Sequence, residues 1–166
     1  MEDLPLMGIA APGSNWGKTR LILALLDEFI RRGLKVAVLK HAHHVSWSKE
    51  KDSGLFMEAG AQAALVVSSA GWLLSAATEE EADYTAVLRM LKQSCQADLV
   101  LVEGYKMGGQ PKLQLTEETL GTEQLLPQTV ALISSAPQKI TLPCFEYTNI
   151  EGIADFIVSY SGVGGK

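Results

Sequence analysis

At 166 residues, with 47% hydrophobic and 20% charged residues, the chain is long enough to bury a substantial core and reads as a single domain, 1–166. A formal net charge of −5 argues against a nonspecific nucleic-acid binder, which carries a basic face. Acidic residues stand near the N-terminus where a signal peptide is basic, no apolar run approaches a membrane span, and Cys95 and Cys144 match no metal or redox spacing. The expectation is a cytoplasmic protein with both cysteines reduced and buried, and with neither nucleic acid nor membrane as partner.

In chain order, residues 6–11 form the first apolar run, and 19–32 follow at helical spacing with Ile22, Leu25, Leu26, Phe29 and Ile30 inward, stopped by Gly33. Residues 35–40 (KVAVLK) read as a second strand, 53–59 as a short helix with Phe56 and Met57 in the core, and 63–68 and 72–76 as strands. A helix is expected over 83–93, with Val87, Leu88 and Leu91 on one face. Strands are expected over 98–103 (DLVLVE), 112–115 and 129–134. Asn149 caps a last helix through Tyr160, with Ile153, Phe156, Ile157 and Tyr160 inward, and 161–166 read as a flexible tail. Apolar strands interleaved with helices predict an α/β fold of three layers, with a mostly parallel central sheet covered on both faces. Ligands bind such sheets at the carboxyl ends of the strands.

The chemistry concentrates at those ends. Residues 9–26, IAAPGSNWGKTRLILALL, combine a strand, a tight loop and an amphipathic helix, and Gly17-Lys18-Thr19 is the tail of a P-loop. Small residues let backbone N–H groups turn inward around phosphate oxygens, and the helix that begins there adds free N–H groups and its dipole. Lys18 is placed to reach the outer phosphates and the Thr19 hydroxyl to bind a phosphate-linked Mg²⁺. Pro12 stands where the first motif glycine belongs, with Gly13 after it; lacking an N–H, it alters the loop entry. Glu103-Gly104, at the end of DLVLV, has the form of a strand-end carboxylate holding Mg²⁺ opposite the P-loop, with Gly104 letting the backbone approach a γ-phosphate.

Other candidates keep two readings each. His41, His43 and His44 either bind a metal or line a nucleotide or partner site, and the lack of a nearby fourth ligand favours the second. Asp52 either reaches Mg²⁺ or caps the short helix, and capping is the simpler role. No guanine-reading Asn-Lys-x-Asp is present; the loop after TVALI reads Ser134-Ser135-Ala136-Pro137. No nucleophile–base pair stands out, so nucleotide binding is far more visible than a reaction.

Five pieces in order resemble the MobB family of molybdopterin-guanine dinucleotide biosynthesis adaptor proteins: SNWGKTRL, KHAHH, KDSGLFMEAGA, VEGYK and PKLQL, across roughly residues 8–115. The stretch PCFEYTNIEGIADFI resembles the family's end. Trp16 and Trp47 depart from the family pattern, as do Pro12 and Glu50. The resemblance implies a P-loop NTPase fold and a homodimer that binds GTP with Mg²⁺ and is at most weakly hydrolytic. The implied partners are a MobA-type molybdopterin guanylyltransferase and the molybdenum insertase. By position, the loop Gly13, Ser14, Asn15, Trp16, Gly17, Lys18 and Thr19 holds the phosphates together with Gly104; Thr19, Glu103 and Asp52 hold the metal, and Lys18 and Glu103 serve any hydrolysis. Two rival classes share such a P-loop: ATP-dependent ligases of the dethiobiotin or cobyrinate type, and nickel-insertion GTPases using His41, His43 and His44.

Overall fold

The computed structural model describes residues 4–42, 44–48 and 50–164. The chain packs as two compact units: the first comprises residues up to His41 and from Leu88 onward, and the second is Ala42–Val87.

The first unit is built on a six-stranded, all-parallel sheet in the order β2-β5-β1-β6-β7-β8. The strands are β1 (Leu6–Ala10), β2 (Val36–Lys40), β5 (Leu99–Glu103), β6 (Lys112–Leu115), β7 (Thr129–Ile133) and β8 (Cys144–Phe145). Helices α1 (Lys18–Arg31) and α4 (Ile150–Ser161) pack on one another and on one face of it. Register explains the core. Met7 and Ile9, Leu99 and Leu101, Leu113 and Leu115, Ala131 and Ile133 occupy alternate positions and meet Leu21, Ile22, Leu25 and Phe29 of α1 and Ile153, Ala154 and Ile157 of α4. The opposite row is buried as well, and at β6 it is polar. Lys112 donates to the Gly108 and Pro127 carbonyls, while Gln114 bonds to the Gln124 carbonyl and the Leu126 N–H. These side chains hold the flanking loops over the sheet.

The second unit contains α2 (Asp52–Glu58) and an antiparallel hairpin of β3 (Ala63–Ser68) and β4 (Gly71–Ala76), which forms its own two-stranded sheet. Helix α3 (Tyr84–Ser94) begins in this unit and ends in the first, and none of its residues is fully buried.

Several inward assignments fail. Ile30, Phe56 and Tyr160 are more than half exposed, Phe56 and Tyr160 at the margin of the helix's buried arc and Ile30 on the side turned away from it, whereas Leu21 is fully buried. Cys95 and Cys144 are free and exposed, because one follows α3 and the other lies on the short edge strand β8. Beyond α4, Val163 is buried against the core. Among the described residues no helix is long and apolar enough to cross a membrane.

Candidate functional site: a P-loop facing a strand-end carboxylate

Strand β1 is central, between β5 and β6, so the loop leaving it at residue 11 emerges in the middle of the sheet's carboxyl edge. Asn15 (φ +61°) and Gly17 (φ +75°) both take left-handed backbone there, and α1 starts at Lys18. No side chain caps α1; its N-cap is Gly17 itself. The first-turn N–H groups therefore face outward at the positive end of the helix dipole. Trp16 packs against the margin of the core, and its indole also borders the loop: a Cβ at Gly13 would lie 3.3 Å from the indole nitrogen.

The register sets Ile9, Glu103 and Lys40 abreast on three neighbouring strands. In β5 the row that faces α1 runs Leu99, Leu101, Glu103, so the carboxylate takes the place of the third apolar residue and points at the start of α1. Glu103 is 7% exposed. Its two oxygens accept from Thr19 Oγ1 at 3.1 and 3.0 Å, and Oε1 pairs with Lys40 Nζ at 3.3 Å. Lys18 Nζ donates to the Gly13 carbonyl at 2.7 Å, and Lys106 Nζ donates to the Pro12 carbonyl. Burial holds the Lys18 ammonium below its usual pKa; Lys106 and Lys40 push the same way, against the pull of Glu103. Gly104, whose N–H donates to the Ile9 carbonyl at 3.3 Å, backs onto His41, and His41 stacks on Tyr105 with centroids 4.5 Å apart.

Lys18, Thr19, Glu103 and Gly104 are thus brought together, with Gly13 and Gly17 in the loop beside them. A hydroxyl and a carboxylate in contact form a hard-oxygen donor set that fits Mg²⁺, and the lysines with the open helix end fit polyphosphate. Asp52 belongs to the second unit and does not cap α2: the N-cap is Lys51, no side-chain cap bond is made, and Asp52 is the first helical residue, its charge at the favourable end of that helix. His43 lies outside the described residues. Among those described, no three His, Cys, Asp or Glu side chains converge as a metal-holding group.

Two groups escape the sequence reading. Lys40 figures there as the last residue of the second strand, with no role at the site, yet it pairs with Glu103. Tyr147 stands there only inside the stretch PCFEYTNIEGIADFI, with no role given to it, yet its hydroxyl donates to the Gly17 carbonyl at 2.6 Å. Its signal is its place just beyond a strand end, and β8 is two residues long, too short to leave a pattern.

The family model for molybdopterin guanine dinucleotide synthesis protein B, MobB, matches residues 6–136. The molybdopterin-guanine dinucleotide biosynthesis adapter protein of Escherichia coli (strain K12) is 33% identical over 165 residues, covering 95% of this chain and 93% of its own length. The protein of the same description from Haemophilus influenzae is 31% identical over 163 residues, covering 96% and 90%. Among solved structures, Bacillus subtilis MobB matches with a TM-score of 0.77 at 25% identity, over 98% of this chain and 99% of that one. A MobB homolog from Bacillus stearothermophilus matches at 0.71 and 21%, over 95% and 97%, and shares the fold. By family model and by full-length identity, the chain belongs to the MobB family of molybdopterin-guanine dinucleotide biosynthesis adapter proteins.

Proposed function

We propose that this chain is a cytoplasmic adaptor that binds GTP with Mg²⁺ on its P-loop. In that state it assists a MobA-type molybdopterin guanylyltransferase and passes the product toward a molybdenum insertase. The observation that carries the nucleotide part is the contact of Thr19 with the buried Glu103 carboxylate at the open end of α1. In this reading the backbone of 13–17 and the N–H groups of Lys18 and Thr19 hold the phosphates, Lys18 leaves the Gly13 carbonyl to pair with them, and the Thr19 and Glu103 oxygens hold the metal. Bound Mg²⁺ offsets charge on the phosphates. Hydrolysis is slow, because phosphoryl transfer depends on a positioned water and concentrated charge, and the partner completes both. The preference for GTP rests on the family's guanine dinucleotide product. The two rival classes gain nothing further, since the ligase and nickel readings rest on sequence features that the family membership absorbs.

The partner-dependent part is tested by reconstitution with molybdopterin, molybdate, GTP and the guanylyltransferase. Adding this protein is expected to raise the yield of guanine dinucleotide cofactor or the activation of a recipient molybdoenzyme; no change over a range of concentrations rejects it. Lys18→Ala is expected to lower Mg·GTP affinity by about 100-fold in calorimetry, the scale of losing one partner of a desolvated charge pair. Unchanged affinity in that variant rejects the phosphate site.

The homodimer belongs to the same proposal. In the hairpin, Leu65, Val67, Trp72 and Leu74 share one face and Val66 and Leu73 the other, and all six are exposed. A two-stranded hairpin is marginal alone, and a second copy of the chain is the occupant that covers it.

A further inference from the structure

Tyr147 falls in the stretch PCFEYTNIEGIADFI but carries no role in the sequence motifs above, yet it touches the P-loop. The loop between β8 and α4 sets its ring against the core margin, and its hydroxyl donates to the Gly17 carbonyl at 2.6 Å. Burial raises the pKa of this phenol, so it remains a donor at neutral pH. The side of Gly17 where a Cβ would stand faces the same hydroxyl, 3.0 Å away, so the left-handed glycine and the tyrosine fit together. The Gly17 carbonyl also accepts the Leu21 N–H at 2.9 Å, the first bond of α1.

A trans peptide unit directs its C=O and N–H to opposite sides. The carbonyl of Gly17 points into the helix, so the N–H of Lys18, in the same peptide unit, points out of its open end. A second donor on that carbonyl fixes the plane and polarises the unit, which strengthens its N–H as a donor to an anion. We propose that Tyr147 is a positioning residue of the phosphate site, acting through the Gly17–Lys18 peptide to aim and strengthen the Lys18 N–H toward a nucleoside di- or triphosphate. The inference rests on the nucleotide reading of the P-loop above.

The test compares the full chain with Tyr147→Phe, which removes one oxygen and keeps the ring. Calorimetry with Mg·GTP, GDP and GMP is expected to show GTP and GDP weakened by about five- to tenfold, the scale of one neutral hydrogen bond, with GMP unchanged. A structural control is Asp155→Ala, which breaks a separate tie between α4 and the residue that caps the end of α1, the Asp155–Arg32 pair at 2.6 Å; its GTP affinity is expected to match the wild type. Equal GTP affinity in Tyr147→Phe and wild type overturns the inference and leaves the P-loop reading intact. A loss common to Tyr147→Phe and Asp155→Ala also overturns it, since helix docking then accounts for the effect. Absence of GTP binding by the wild type overturns both.

Discussion

Lys112 is fully buried in β6, and its ammonium donates to two backbone carbonyls, of Gly108 and Pro127. Burial alone lowers its pKa. A neutral amine still has two N–H groups for two acceptors, so the fold loses little when the proton leaves. Below the lowered pKa the folded state bears the cost of a desolvated charge. As pH rises from that value toward the unfolded lysine near 10.4, the unfolded chain holds more protons and stability grows. In Lys112→Met the removed desolvation cost and the two lost hydrogen bonds oppose each other, so the net change at neutral pH is expected within about 2 kcal/mol. The informative measurement is pH: the stability of wild type minus variant, by denaturant unfolding, is expected to rise between neutral and alkaline pH. A flat difference rejects the buried-charge account. Glu103 shows the opposite legibility. It closes an apolar strand in a chain that already carries a P-loop, so the sequence names it, whereas a lysine opening a four-residue strand gives no sign of burial.

Helix α2 falls where the sequence places it, but one of its residues runs against helix propensity. Glycine is a poor helix former, and Gly54 sits inside a seven-residue helix. The loop before the helix supplies the reason: a Cβ at Gly54 would lie 1.9 Å from the Ser48 carbonyl oxygen and 2.7 Å from its carbon. Backbone cannot yield as a flexible side chain does, so Gly54→Ala must lift α2 from the 44–48 loop. The expected cost is about 1–3 kcal/mol, felt in the second unit. Hydrogen exchange should show faster opening of α2 amides with the central strands of the first unit unchanged; unaltered protection of α2 rejects the close-approach argument. At α4 the sequence is sufficient. Asn149 accepts the Gly152 N–H at 3.0 Å, as a local cap motif predicts, because capping involves only residues adjacent in the chain.

At the scale of the whole molecule, the second unit presents apolar residues that its own packing leaves exposed, Val67 at 71% and Trp72, its cross-strand partner, at 53%. A shallow apolar groove between α2 and β3, lined by Phe56, Ala59, Ala61 and Leu65, adds to them. If a second copy covers this hairpin, Val67→Asp places a charge in the interface and is expected to weaken dimerisation more than about 100-fold. Light scattering across micromolar concentrations should give a dimer for wild type and a monomer for the variant. A wild-type monomer at every concentration, or a variant dimer of equal strength, rejects this surface as the contact between copies.

The sequence by itself determined the α/β class, the P-loop with its Lys18 and Thr19, the strand-end Glu103 and the family. Each of these is written in local pattern: short unbroken apolar runs, helical spacing, a phosphate-loop tail and motifs in fixed order. It did not determine that β3 and β4 leave the main sheet for a hairpin of their own, that β8 exists, or which residues at the edges of the helical faces are covered. Only the tertiary structure decided those, since burial at the margin of an amphipathic arc depends on which neighbour packs there. The Lys40–Glu103 pair and the Tyr147 bond to Gly17 join residues 63 and 130 positions apart. Parallel strand order and the β8–α4 loop bring them together, and no periodicity within either segment records that meeting.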